Sequence, residues 1–379
     1  MKIAVPRETR AHEKRVAATP ETVKKYRDLG FEVVVEAGAG LGAAITDDAF
    51  KAAGAEIAAD SAATLAGADL VLKVQAPDEA ETAALPKGAT LVAMLSPYTN
   101  RDLVKRLAAA EVTAFAMELV PRITRAQSMD VLSSQSNLAG YRAVIDAAAE
   151  FGRAMPMMMT AAGTVPPARV LVLGAGVAGL QAIATARRLG GVVSAFDVRP
   201  AVKEQVESLG ASFVDVPSDE TASAETKGGY AREMSDAYKA RQAQVLADHV
   251  KKNDMVITTA QIPGKPAPVL ITEEMVASMK PGSVIVDLAS ETGGNCALTR
   301  HGEVVETPGG VRIVAFPNVP ARVAVNAAQL YAKNLLTFVA LMVDKETKAL
   351  KVDTADEIIA GTLLTQGGAV VHPNFKEAE

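Results

Sequence analysis

The run Val170-Leu171-Val172-Leu173-Gly174-Ala175-Gly176-Val177-Ala178-Gly179 joins a buried-type strand to a Gly-x-Gly-x-x-Gly turn, and Leu180–Leu189 continues with helical spacing. Phosphate chemistry needs that combination. Gly174 permits the tight turn, Gly176 lets backbone approach a pyrophosphate, and Gly179 lets helix and strand close up. The helix N-terminus then meets the phosphate charge. The next apolar run, Val192–Phe196, ends at Asp197, 18 positions after Gly179 and 23 after Gly174. A carboxylate at that spacing accepts both ribose hydroxyls and repels a 2′-phosphate, so the pattern favours NAD(H) over NADP(H), a preference tempered by Arg199 nearby. A second glycine cluster, Gly38-Ala39-Gly40-Leu41-Gly42, lacks the third-glycine spacing and a following acidic strand end, and reads as a structural turn.

Two polar stretches carry the remaining chemistry. Pro121–Asn137 sets guanidinium, amide, carboxylate and hydroxyl groups close together and shows no apolar periodicity until Leu138. It reads equally as a polar interdomain loop with a capping Ser or Asn and as a loop binding the nicotinamide side of a cofactor. Pro217–Lys239 is too polar to pack and contains Gly228-Gly229-Tyr230; it reads as a solvated excursion or as a lid with Tyr230 at its tip. The four histidines, His12, His249, His301 and His372, stand apart from one another and from Cys296, with no metal-ligand spacing, so no metal site is expected. Neither a Gly-x-Ser-x-Gly elbow nor a phosphate loop of the ATPase type is present, which leaves acyl transfer and ATP hydrolysis without support.

These groups need a scaffold. Ile3–Val5, Phe31–Val35, Leu70–Val74, Thr90–Leu95 and Thr113–Met117 alternate with helical segments such as Pro20–Leu29 and Arg101–Ala110, predicting a parallel-sheet α/β domain. A helix from Asn137 to about Gly152 leads to a second series: Arg169–Leu173, Val192–Phe196, Phe213–Val214, Met255–Thr258, Val284–Asp287 and Arg312–Ala315. Arg322–Met342 is helical and returns the chain to the first domain. The fold expected is α/β: two Rossmann-like domains with mainly parallel sheets flanking a cleft, linked by long helices, one of residues 1–136 with 321–379 and one of residues 137–320. A chain of 379 residues with 49% hydrophobic content can fill two such cores. A net charge of −5 without a basic run argues against nucleic acid and anionic membrane as partners. A single cysteine, and an N-terminus too polar for a signal peptide, predict a cytoplasmic protein, and no stretch offers the ~20 apolar residues of a membrane span.

Taken together, the chain resembles the NAD(H)-binding component (domain I) of proton-translocating NAD(P) transhydrogenase, in the form where that component is a separate soluble alpha-subunit polypeptide, within the alanine dehydrogenase/transhydrogenase superfamily. The resemblance covers essentially the whole chain and is most specific at Pro121–Tyr141, Thr160–Arg169 and Ile262–Pro268. It implies that Arg122, Gln127, Asp130 and Ser133 hold the nicotinamide end and that Tyr230 is the mobile-loop tyrosine. It further implies cofactor contacts from Ile123, Thr124, Val177, Asp197, Val198, Arg199, Gly229, Gln242 and Gln261. The activity implied is Si/Re-specific, proton-translocating transhydrogenation, with hydride passing between NADH on this chain and NADP⁺ on a partner. It implies, too, a cytoplasmic homodimer, peripheral to the inner membrane, that docks on an NADP(H)-binding beta subunit and a membrane-spanning subunit. Alanine dehydrogenase is the alternative, because Arg15 and Lys73 stand where those enzymes bind pyruvate. Their catalytic His is absent from Met94-Leu95-Ser96-Pro97, however, and Glu291 replaces their catalytic Asp. Oxidative deamination needs a general acid/base, whereas hydride transfer between two nicotinamide rings needs none.

Overall fold

In the computed structural model, which describes residues 1–217, 234–262, 264–344 and 346–376, the chain divides into two compact units: Met1–Gln135 with Ala321–Glu379, and Ser136–Pro320. The first 120 residues supply β1 (Lys2–Val5), β2 (Glu32–Glu36), β3 (Glu56–Ala58), β4 (Leu70–Leu72), β5 (Thr90–Ala93) and β6 (Thr113–Ala116). An exposed hairpin, β7 (Met158–Thr160) and β8 (Gly163–Val165), precedes β9 (Arg169–Leu173), β10 (Val192–Phe196), β11 (Ser212–Phe213), β12 (Met255–Thr258), β13 (Val284–Asp287), β14 (Val304–Glu306) and β15 (Arg312–Val314). The tail adds β16 (Leu363–Gln366) and β17 (Ala369–Val370).

Among the described residues, the first unit holds an eight-stranded sheet in the order β17-β16-β6-β5-β4-β1-β2-β3, and the second a seven-stranded sheet in the order β11-β10-β9-β12-β13-β15-β14. Pairing is parallel except where β16 meets β6 and β17 and where β14 meets β15. Parallel sheets covered on both faces need apolar residues at every position, with alternate residues feeding opposite cores. The central strands of both sheets follow that rule. Ile3, Val5, Leu70, Leu72, Val92 and Phe115 enter one core of the first unit while Ala4, Val71, Leu91, Ala93, Ala114 and Ala116 enter the other. In the second unit Val170, Val172, Met255 and Ile257 face one core, and Leu171, Leu173, Val256 and Ile285 the other. Each buried Val, Leu, Ile, Met or Phe among these contributes roughly 1.5–3 kcal/mol of burial free energy, and each Ala less.

The predicted parallel-sheet α/β architecture is therefore observed, with differences at the start of one helix and in the shorter strands. The long helix begins at Val131 and runs to Glu150, six residues before the expected start, because its first turn is capped by a side chain and not marked by apolar spacing. Within the second unit that helix passes the helix Val177–Arg188 so closely that a Cβ on Gly140 would lie 2.0 Å from the Ala178 carbonyl oxygen. The short strands β3, β7, β8, β14, β16 and β17 have no counterpart in the sequence reading, and pairing with β6 rather than local pattern makes β16 a strand. The segment Gly38–Gly42 is a turn into the short three-ten helix Leu41–Ala43, in agreement with its reading.

Candidate functional site

β9 lies between β10 and β12, so the chain leaves β9 toward one side of the sheet and returns on the other. The carboxyl end of such a strand is where open α/β sheets take ligands. Gly174 stands there at φ +97°, and a Cβ on it would meet Thr259 Oγ1 at 2.6 Å. A Cβ on Gly179 would fall 1.8 Å from the Gly174 carbonyl oxygen, so both positions exclude any side chain. Gly176 is different: its nearest neighbour in that direction is Arg199 Nη2, 4.0 Å away, and no side chain caps the helix Val177–Arg188 that starts beside it. An open cradle at an uncapped helix N-terminus suits a pyrophosphate, and the turn fits a dinucleotide. Val177, at the first helical position, is 39% exposed along the same edge.

Asp197, at the end of β10, is buried, and its carboxylate organises the turn. One oxygen accepts the Ala175 N–H at 2.7 Å and Arg199 Nη2 at 2.7 Å; the other accepts the Arg199 backbone N–H and Nε, each at 2.9 Å. The residue expected at the ribose is thus also bound to the glycine turn, and Arg199 lies in an ion pair with it. Val198 packs at the margin of the adjoining core. Gln242 is buried on the helix Asp236–Val250, while Gln261 is exposed and donates to the Leu288 carbonyl at 3.1 Å.

Sequence reasoning missed two supports of this edge. Thr259 Oγ1 donates to the Gly174 carbonyl at 3.0 Å. Asn295 is fully buried and holds the strand end of β12 on both sides, accepting the Ala260 N–H at 3.0 Å and donating to the Ala260 and Pro268 carbonyls at 2.8 Å each. The Asn295 backbone is fixed in turn by Asp287, which also accepts from Thr258, Ala289, Cys296 and Thr299. The available signal was Gly293-Gly294, both at positive φ, immediately before Asn295. Glu291 accepts the Asn318 N–H at 3.2 Å.

The polar segment is more regular than its composition suggests. Thr124–Met129 forms a three-ten helix, Asp130 is extended, and the long helix follows at once. Asp130 accepts the Ser133 N–H at 2.8 Å and the Ser133 hydroxyl at 2.5 Å, so the cap is this aspartate and not a Ser or Asn. Such a cap contributes about 1 kcal/mol and joins two of the expected site residues directly. Arg122, Thr124 and Gln127 are exposed, Ile123 packs at the margin of the core, and Asp130 and Ser133 are half-buried. Arg125 is engaged in a two-pronged ion pair with Asp356 at 2.7 and 2.9 Å. Gly229 and Tyr230 lie outside the described residues.

Arg15 and Lys73 are both buried and already engaged. Arg15 pairs with Glu13 at 2.6 Å and donates to Gln135 at 2.8 Å; Lys73 meets Glu81 at 2.8 Å and Glu8 at 3.4 Å. Burial by itself raises the Glu13 carboxyl, but hydrogen bonds and charge from Arg15 outweigh it and hold the group at about 2. Burial pushes Glu8 upward against the attraction of Lys73. An oxoacid carboxylate arriving here would compete with carboxylates of the chain itself. Among the described residues no group of three or more His, Cys, Asp or Glu could hold a metal, and no helix is long and apolar enough to cross a membrane.

A mainly parallel sheet whose central strand ends in an open glycine cradle, with an aspartate at the end of the neighbouring strand, defines a dinucleotide-binding α/β protein. The chain belongs to the alanine dehydrogenase/PNT family: residues 4–139 match its N-terminal domain and residues 143–373 its C-terminal domain. It is 60% identical over 378 residues to an NAD(P) transhydrogenase subunit alpha polypeptide of Rhodospirillum rubrum, covering 98% of each chain. The crystal structure of transhydrogenase from Sinorhizobium meliloti superposes with a TM-score of 0.86 at 53% identity, covering 99% of this chain and 100% of that one. An alanine dehydrogenase of Halomonas elongata is more distant, at 33% identity over 100% of this chain and 96% of its own length.

Proposed function

We propose that the chain is the NAD(H)-binding component of a proton-translocating NAD(P) transhydrogenase. The glycine turn, Val177, Asp197, Val198, Arg199, Gln242 and Gln261 take the adenosine and pyrophosphate portion. Arg122, Ile123, Thr124, Gln127, Asp130 and Ser133 orient the nicotinamide end. Bound NADH supplies a hydride from C4 to C4 of NADP⁺ held on a partner subunit, leaving NAD⁺ and NADPH. The observation that carries this reading is the Asp130–Ser133 pair. Its carboxylate is committed as an acceptor to a helix N-terminus and a hydroxyl, an arrangement that fixes direction rather than moving a proton. Ring-to-ring hydride transfer needs orientation of that kind and no proton donor. The similarity to transhydrogenase alpha subunits over nearly the whole chain supports the same assignment. A homodimer that works with an NADP(H)-binding subunit and a membrane-spanning subunit at the cytoplasmic face of the membrane belongs to this proposal.

The test mixes the purified chain with an isolated NADP(H)-binding partner domain and follows NADH-dependent reduction of an NADP⁺ analogue. Reduction that depends on both proteins is expected. Its absence, together with NADH oxidation by the chain alone in the presence of pyruvate and ammonia, would replace this reading with an amino-acid dehydrogenase.

A further inference from the structure

We propose that Asn334 is a positioning residue for the nicotinamide-orienting segment, an inference that rests on the role proposed for Arg122–Ser133 above. Asn334 is 7% exposed on the helix Ala324–Leu341, whose other buried residues are Ala, Val, Leu, Phe and Tyr, among them Tyr331, Leu335 and Phe338. A primary amide among such neighbours is costly unless both of its ends are bonded. Here its Oδ1 accepts the Ser134 hydroxyl at 2.7 Å and its Nδ2 donates to the Ser128 carbonyl at 2.8 Å.

The position of these two contacts is what matters. Ser128 lies in the three-ten helix one residue after Gln127, and Ser134 lies in the long helix one residue after Ser133. A single side chain therefore spans the break in the backbone at Asp130, fixing the spacing between the element that carries Gln127 and the one that carries Ser133. The Asp130 cap closes the same break locally, but a cap restrains only the first turn of one helix. The amide adds a reference from a helix 200 residues further along the chain. Gln135 ties the following turn to the same helix, donating to the Ala327 carbonyl at 3.1 Å. Hydride transfer is sensitive to displacement, and a shift of about 1 Å in a positioning group costs up to ~100-fold in rate.

Two variants test this, Asn334→Asp, which keeps the acceptor for Ser134 and loses the donor to Ser128, and Ser134→Ala, which removes the other contact together with the hydroxyl's bonds to the Val131 carbonyl and the Gln135 amide, each at 3.2 Å. Each is measured for NADH dissociation constant, for single-turnover hydride transfer in the reconstituted mixture, for melting temperature, and for fluorescence anisotropy of the bound dihydronicotinamide. Transfer slowed about tenfold or more, with affinity within about threefold of wild type and a higher ring mobility, is the expected result. Transfer within about twofold of wild type in a folded variant overturns the proposal, as does a loss of rate and affinity in equal proportion. Should the wild type itself fail to transfer hydride, the transhydrogenase reading falls and anisotropy alone decides: increased ring mobility at retained affinity upholds the positioning role, and unchanged mobility ends it.

Discussion

In the turn Gly174–Gly179 the surface proposed for the cofactor is backbone, whereas in Arg122–Ser133 the contacts proposed are side chains and the backbone is held from elsewhere. The turn needs three absent side chains, one left-handed residue and a carboxylate, and all of these lie within 24 residues. Its geometry is fixed by what cannot fit: 1.8 Å at Gly179 and 2.6 Å at Gly174 are distances no Cβ tolerates. The polar segment depends on partners 120, 200 and 231 residues away, through Arg15–Gln135, Ser134–Asn334 and Arg125–Asp356. A site built by exclusion fails abruptly when filled. A site built from a hydrogen-bond network fails by degrees, one strut at a time.

The sharpest way to break that contrast is Gly179→Val. The added side chain must displace the Gly174 carbonyl, and with it the open face at Gly176, so a loss of NADH affinity of about a thousandfold, ~4 kcal/mol, is expected. Titration calorimetry on protein shown to be folded by circular dichroism checks it. Affinity within threefold of wild type would mean that the cofactor does not sit on this turn.

Glu13→Gln is the next largest. It deprives the buried Arg15 guanidinium of its 2.6 Å partner, and breaking one side of a buried pair costs about 3 kcal/mol at neutral pH. The folded-state value of about 2 lies below the ordinary 4.5, so the carboxylate stabilises the fold fully above about pH 4.5 and loses that effect as pH falls toward 2. Melting temperatures taken between pH 2 and 7 should show a wild-type curve that drops through this window and a variant curve that is lower but flatter. Parallel curves would remove Glu13 from the account of how Arg15 and Gln135 are held.

The same contrast explains what the sequence disclosed. The glycine turn, Asp197 and the alternating strands were legible because each depends on local spacing and on a residue's own steric character. Asp130 as the cap was not, because Pro121–Asn137 contains several residues that can cap and the choice among them is made by where the helix begins. Asn334 reads as an interruption in an apolar helix; only the fold brings Ser128 and Ser134 to it. Asn295 was hidden for the same reason, with its contacts at Ala260 and Pro268 lying 35 and 27 residues upstream. β16 took its identity from pairing with β6, which no local pattern announces.

Arg125→Gln should have the smallest effect, and it separates the two kinds of partner within the polar segment. Arg125 reaches Asp356 with good two-pronged geometry, yet its side chain is 49% exposed and that of Asp356 27%. Water and salt screen such a pair, and two flexible side chains lose freedom to form it. Asp356 also retains its own task, accepting the Ile358 N–H at 2.8 Å at the start of the helix Glu357–Thr362. The melting temperature is therefore expected to fall by no more than about 2 °C, and by less at high salt, with hydride transfer within about twofold of wild type. If Arg125→Gln instead slowed transfer as much as Asn334→Asp, buried and exposed struts would be equivalent. The segment would then be positioned by the sum of its contacts rather than by the amide that spans Asp130.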